Sequence, residues 1–132
     1  MKKTHRAAFT LVELVMVIVI IGLLAAVVTP QFTDMRGDAQ IAAEEASVAA
    51  VRTGIKMIRM SNMAKGETTE YPTSLDAATK GDASDTNPLF TEVVEGGLTD
   101  SNWEKTGNNA YRYKPTKIRY VYDKKTGEFK PK

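Results

Sequence analysis

FTLVELVMVIVIIGLLAAVVTP, residues 9–30, decides how the rest of the chain is read. From Leu14 to Val28 every residue is apolar or glycine, and back to Phe9 only Thr10 and Glu13 are polar. Twenty residues at ~1.5 Å each span ~30 Å, the hydrocarbon thickness of a bilayer. Valine and isoleucine dominate, which in water suggests a strand. In lipid the backbone must satisfy its own hydrogen bonds, so a lone apolar segment becomes a helix. Upstream, MKKTHRAA carries Lys2, Lys3 and Arg6. The positive-inside rule keeps those charges cytoplasmic and places the soluble part across the membrane.

Glu13 is the anomaly in that segment. A charged acid at mid-bilayer costs ~2.5–3.5 kcal/mol on insertion scales, so an ionisable group there is a candidate functional residue. It lies one helical turn after Phe9, on the same side. Two readings stand on the residues alone. Either Glu13 sits near a helix N-terminus, where acids are favoured, and reaches toward headgroups, or it awaits a partner inside the membrane.

A secretory signal is cut after its apolar region, but here the small pair Ala7-Ala8 comes before it. Cleavage at Ala8-Phe9 would remove the leader, keep the helix and leave a free amine on Phe9. Basic leader, small residue, FTLVELV and an apolar run resemble the class III leader of type IV pilins and type II secretion pseudopilins. The stretch TPQFTDMRGDAQIAAEEASVAAVRTGI is similar to pilins of the mannose-sensitive haemagglutinin type. The pattern departs at one position, since the family usually has glycine before the cut and this chain has Ala8.

The resemblance implies a structural subunit of a helical filament. A membrane aspartyl peptidase, the prepilin peptidase, cuts before Phe9 and methylates the new amine, and Glu13 pairs with the Phe9 amine of a neighbour. The implied partners are further copies of the chain, that peptidase, an inner-membrane platform with its motor ATPase, and lipid before assembly. The implied location is the bacterial inner membrane, then an extracellular pilus or a periplasmic pseudopilus. By the same resemblance the stem unwinds on assembly between Gly22 and Pro30.

Beyond Pro30, which tends to kink a helix, Ile41, Val48, Val51, Ile55 and Ile58 recur at three- and four-residue steps. Glu44, Glu45, Arg52, Lys56 and Arg59 fall largely elsewhere. That is an amphipathic helix over about Asp38 to Met60. The expected organisation is a leader at 1–8, a transmembrane half-stem at 9–30, an amphipathic half-stem at 31–60 and a globular head at 61–132. The fold class is α+β and pilin-like, a long N-terminal helix packed on a small antiparallel C-terminal sheet.

In the head, Ser61 to about Leu89 reads as an irregular connection with one short helical turn near Ser74 to Thr79. FTEVVEGGL (90–98) reads as a short helix. AYRY, KIRYVYD and EFKPK read as strands, the last two joined at Lys124-Lys125-Thr126-Gly127. The sheet is expected to pack on Val48, Val51, Ile55 and Ile58. Tyrosine is common in strands, which favours packing over an electron-carrying role, and Trp103 reads as a core or rim anchor. Asp76, Asp82, Asp85, Asp100 and Asp123 read as solvated turn residues rather than calcium ligands.

Composition narrows the function further. The 132 residues contain no cysteine and a single histidine, His5, in the leader. No histidine triad, histidine zinc cluster or thiol site can be built, and no glycine-rich phosphate loop appears. No enzyme, cofactor or metal is expected. Without residues 1–8 the chain holds 15 Lys/Arg against 16 Asp/Glu, a net charge of −1, so nucleic acid is not an expected ligand. Three functions remain: a type IV pilus-like filament subunit, a major-type pseudopilin of a type II secretion system, or a monomeric membrane-anchored binding module.

Overall fold

The computed structural model describes residues 8–132, and for residues 29–33 the backbone alone. Of the expected leader, only Ala8 lies among them. The first element is one helix, α1, Leu11–Lys65, whose backbone stays helical through Pro30 and continues past the expected Met60. The head contributes five strands: β1 Gly81–Asp82, β2 Trp103–Gly107, β3 Ala110–Tyr113, β4 Ile118–Asp123 and β5 Glu128–Pro131. They form one sheet in the order β1-β2-β3-β4-β5, with all neighbours antiparallel. The chain divides into two compact units, 1–39 and 40–132.

In the second unit the amphipathic stretch of α1 lies on the sheet as expected, with two changes in the stripe. Val48, Val51 and Ile55 are buried, and Ile58 is half-buried. Ile41 is exposed instead, and Glu44 takes the buried place one turn before Val48 at 4% exposure. An acid tolerates that place because Tyr120 donates its hydroxyl proton to Glu44 Oε1 at 2.7 Å. A buried polar group costs little once its hydrogen bond is made.

The expected strands at AYRY, KIRYVYD and EFKPK are β3, β4 and β5. Tyr111 and Tyr113 of β3 and Tyr120 and Tyr122 of β4 all point inward and are buried. They surround Phe90 and Trp103, with Phe90 edge-on to Trp103 at 5.5 Å and Tyr120 stacked on Phe129 at 5.3 Å. The tyrosines therefore pack, and Trp103 is a core residue at 0% exposure.

Burial sets an alkaline limit on this head. It is the first cause that pushes Tyr120 and Tyr122 up to about 12. The Glu44 hydrogen bond and charge add to the shift at Tyr120, and Tyr71 and Asp123 at Tyr122. Tyr111 and Tyr113 move in the same direction, burial first. Unfolded tyrosines release their protons near pH 10, while the folded ones keep theirs. Stability should therefore hold below pH 10 and fall between pH 10 and 12, by on the order of 1 kcal/mol per pH unit for each tyrosine. Thermal unfolding against pH, with phenolate absorbance followed in parallel, checks this. Absorbance rising by more than one tyrosine's worth before unfolding would contradict it.

Two expectations in the connection fail. No helical turn forms at Ser74 to Thr79, and FTEVVEGGL is not a helix. Phe90 takes φ 60°, Gly96 and Gly97 take φ 76° and 70°, and Leu89 pairs with Leu98 across the loop. One turn forms after Phe90, the Val93 and Val94 N–H groups donating to the Phe90 carbonyl at 3.1 and 2.9 Å, and the positive φ of Gly96 and Gly97 ends it there. The resulting loop reaches back to α1. A β-carbon on Gly54 would stand 2.6 Å from the carbonyl carbon of Val93, whereas one on Gly37 would meet nothing within 4 Å. The same substitution should therefore act in opposite directions. Gly54→Ala forces backbone apart and should cost about 1–3 kcal/mol, and Gly37→Ala should gain up to ~1 kcal/mol of helix propensity. Thermal melts of the two variants beside the parent decide it.

Candidate functional site

The residues singled out for processing and assembly lie at the start of α1. Ala8, Phe9 and Thr10 precede the helix without regular structure, and Phe9 is 88% exposed. The Ala8–Phe9 peptide thus lies outside the helix and is exposed. Thr10 then caps the helix. Its Oγ1 accepts the Glu13 backbone N–H at 3.2 Å, and Glu13 Oε2 accepts the Thr10 N–H at 2.9 Å. Thr10-Leu11-Val12-Glu13 is a capping box, in which two otherwise unpartnered helix donors are satisfied reciprocally. The threonine followed by glutamate three residues later was its signal in the sequence. Glu13 is also an acid in the first turn of α1, where the helix N-terminus favours negative charge.

The cap places Phe9, Thr10 and Glu13 around one recess of about 540 Å³, completed by Leu11, Leu14 and Val17. From Leu11 to Val28 the helix is long and apolar enough to cross a membrane, and none of that stretch is buried. Gly22 lies within it with open space where a β-carbon would be. Pro30 lies just beyond it in helical backbone.

The aspartates of the head lie elsewhere and do different work. Asp76 is no solvated turn residue, as it is 3% exposed and its Oδ1 pairs with the Lys105 ammonium, itself 6% exposed. Phe90 N–H donates to Asp76 Oδ2 at 2.8 Å, Tyr111 O–H donates to it at 2.9 Å, and Ala78 N–H donates to Oδ1 at 3.2 Å. Asp82 pairs with Lys114 at 2.9 Å, while Asp100 accepts from Asn102 and Asp123 from the Lys125 N–H. Among the described residues no three histidines or acids converge as a metal site would require. Asp76 with Lys105 is the internal site that residue-level reading missed, because neither a lone loop aspartate nor a strand lysine announces its partner 29 positions away.

The Prokaryotic N-terminal methylation motif matches residues 3–29. Over 101 residues the chain is 37% identical to the type IV narrow pilus major component PilA5 of Thermus thermophilus, covering 76% of this chain and 72% of that one. This chain belongs to the type IV pilin and pseudopilin family. A second pilin-family relative, type II secretion system core protein G of Pseudomonas aeruginosa, is 27% identical over 107 residues. That match covers 81% of this chain and 65% of the relative, so the chain spans slightly under two thirds of that protein. No solved structure matches this pilin-family chain. The exposed apolar start of α1 and family membership fit a membrane-anchored pilus or pseudopilus component.

Proposed function

We propose that this chain is a prepilin, the structural subunit of a helical type IV pilus-like filament. Prepilin peptidase cuts it between Ala8 and Phe9 and methylates the Phe9 amine. The apolar stem holds it in the inner membrane, leader inward and head on the far side, until a platform and motor ATPase add it to the filament. There the stems pack together and Glu13 pairs with the Phe9 amine of a neighbour. Gly22 and Pro30 bound the part of the stem that unwinds on assembly.

The observation that carries this reading is the span Leu11–Val28, apolar throughout apart from Glu13 and buried nowhere by its own chain. Such a surface must be covered by lipid or by other stems, and an acid within it needs a cation in either place. The capping box uses Glu13 Oε2, so a neighbouring amine can bind at Oε1 without undoing the cap. The exposed Ala8–Phe9 peptide, outside the helix, suits cleavage. The similarity to a pilus major component supports the pilus over the secretion pseudopilus, and the similarity to a secretion core protein keeps the latter as second reading.

The test is the mature N-terminus after expression with and without a prepilin peptidase. Intact mass and N-terminal sequencing should give a chain starting at Phe9 with one added methyl. A chain that stays full length, or is cut after the apolar run, overturns the reading.

A further inference from the structure

The interior of the head holds an amine and a carboxylate side by side. Asp76 is 3% exposed and Lys105 6%. Lys105 Nζ donates to Asp76 Oδ1, and to the Ala78 carbonyl at 2.9 Å. The Ala78 N–H also donates to Oδ1, at 3.2 Å. Asp76 Oδ2 takes two other donors, the Phe90 N–H at 2.8 Å and the Tyr111 O–H at 2.9 Å. The two oxygens of one carboxyl group are thus given different surroundings. Oδ1 shares a hydrogen bond with an amine, and Oδ2 sits between two fixed neutral donors.

That division is what a condensation requires. An amine hydrogen-bonded to a carboxylate oxygen stands about 3–3.5 Å from the carboxyl carbon, a near-attack separation that the fold holds in place. Two fixed donors on Oδ2 stabilise the negative charge that develops there when the carbon is attacked. Burial acts on the reactants as well. The desolvation of two charges can exceed their mutual attraction. One proton moving along the existing hydrogen bond from Nζ to Oδ1 turns the ion pair into a neutral amine and a neutral acid, and a neutral amine is a nucleophile.

We propose that Lys105 and Asp76 condense to an amide, a covalent cross-link inside the head. After the first proton transfer the Nζ lone pair attacks Cγ, the new N–C bond forms and negative charge moves to Oδ2. The carbonyl then re-forms as the Cγ–Oδ1 bond breaks, and a second proton from Nζ leaves with Oδ1 as water. No oxidant or co-reactant is needed. The product keeps the hydrogen bonds of the site, because its carbonyl oxygen is Oδ2, the acceptor of Phe90 and Tyr111, and its N–H donates to the Ala78 carbonyl. The water has an exit, since Asp76 lines a recess of about 410 Å³ with Ser74, Ala77 and Glu92. Freshly folded chain carries the ion pair, and the amide accumulates from it. The link closes a loop of 29 positions, which removes freedom from the unfolded chain and ties the connection after α1 to β2.

The test is mass, read on the full chain folded in detergent, with fluorescence of buried Trp103 reporting that each sample is folded. The parent should weigh one water less than its sequence, and a proteolytic digest should yield a branched peptide joining Asp76 to Lys105. Lys105→Met should keep its full sequence mass. Tyr111→Phe removes one of the two donors on Oδ2 and leaves both reacting groups, so after refolding it should lose water about a hundredfold more slowly than the parent. A folded parent that keeps its full mass overturns the proposal. So does a water lost within a single unbranched peptide, which is a cyclic imide at an aspartate, or a water lost from Lys105→Met as readily as from the parent. Tyr111→Phe condensing as fast as the parent overturns the route through a charge on Oδ2. Each result is read without filaments, so failure here leaves the filament reading standing, and failure of that reading leaves the cross-link standing.

Discussion

Replacing Glu13 by glutamine should abolish filament formation while leaving the Ala8–Phe9 cut and the head intact. Glutamine is isosteric and can serve at this position of a capping box, so the Thr10 N–H keeps an acceptor and α1 keeps its start. What disappears is the negative charge. A methylated amine on Phe9 of a neighbouring stem would then lie in an apolar packing without a counter-ion. Removing one partner of a buried pair costs about 3–5 kcal/mol, and each 1.4 kcal/mol is a factor of ten in an equilibrium. Subunit addition should fall by two to three decades, which sheared-filament yield reads as loss. Thr10→Ala is the control that removes the cap and keeps the charge. It should cost only about 1 kcal/mol and leave filaments within tenfold of the parent. Intact mass on both variants shows whether processing was spared. If the glutamine variant assembles like the parent, Glu13 is a capping residue only, and the proposed pair with Phe9 does not exist.

What could be read from the residues follows how local their determinants are. The apolar run at Leu14 to Val28 declares itself by composition. The alternation Tyr111, Tyr113 and Ile118, Tyr120, Tyr122 declares β3 and β4 by period. The strand β2 was not read, because its inward positions are Trp103 and Lys105. An inward lysine breaks the apolar alternation on which strand reading depends, and only its pairing with Asp76 makes it an interior residue. Glu44 escaped for the same reason, being an acid in an apolar stripe that Tyr120 alone makes acceptable. FTEVVEGGL was misread because helix propensity is a local prior, and the positive φ of Gly96 and Gly97 with the Leu89–Leu98 pairing stops the segment after one turn. At the N-terminus, the cleavage and pairing roles proposed for Ala8, Phe9 and Glu13 rest on the family motif rather than on physics. The Thr10 cap was legible through physics and passed over.

Asp76→Ala should be the most damaging single change in the head, at about 5 kcal/mol. The carboxylate receives the Lys105 ammonium, the Phe90 and Ala78 N–H groups and the Tyr111 hydroxyl. Truncation leaves a cation buried without its counter-charge, which alone costs about 3–5 kcal/mol, and orphans neutral donors at ~1–3 kcal/mol each where water cannot reach them. The whole stability of a small domain is about 5–15 kcal/mol, so the head should be largely unfolded at growth temperature. Lys105→Met removes the other partner but should cost less, about 2–3 kcal/mol, since the carboxylate keeps three donors and methionine fills the space of the lysine stem. The asymmetry follows from the loop itself. Asp76 joins β2, β3 and the left-handed turn at Phe90, whereas Lys105 donates to Asp76 and the Ala78 carbonyl and lies 5.8 Å from the Tyr111 ring. Urea unfolding of the full chain in detergent, followed by tryptophan fluorescence from buried Trp103, should rank the parent above Lys105→Met and Lys105→Met above Asp76→Ala. Equal losses would mean that the ion pair carries the effect and the three neutral hydrogen bonds add nothing. A loss below about 2 kcal/mol for Asp76→Ala would mean that water enters the site, and that the loop from Leu75 to Phe90 is held by its apolar residues instead.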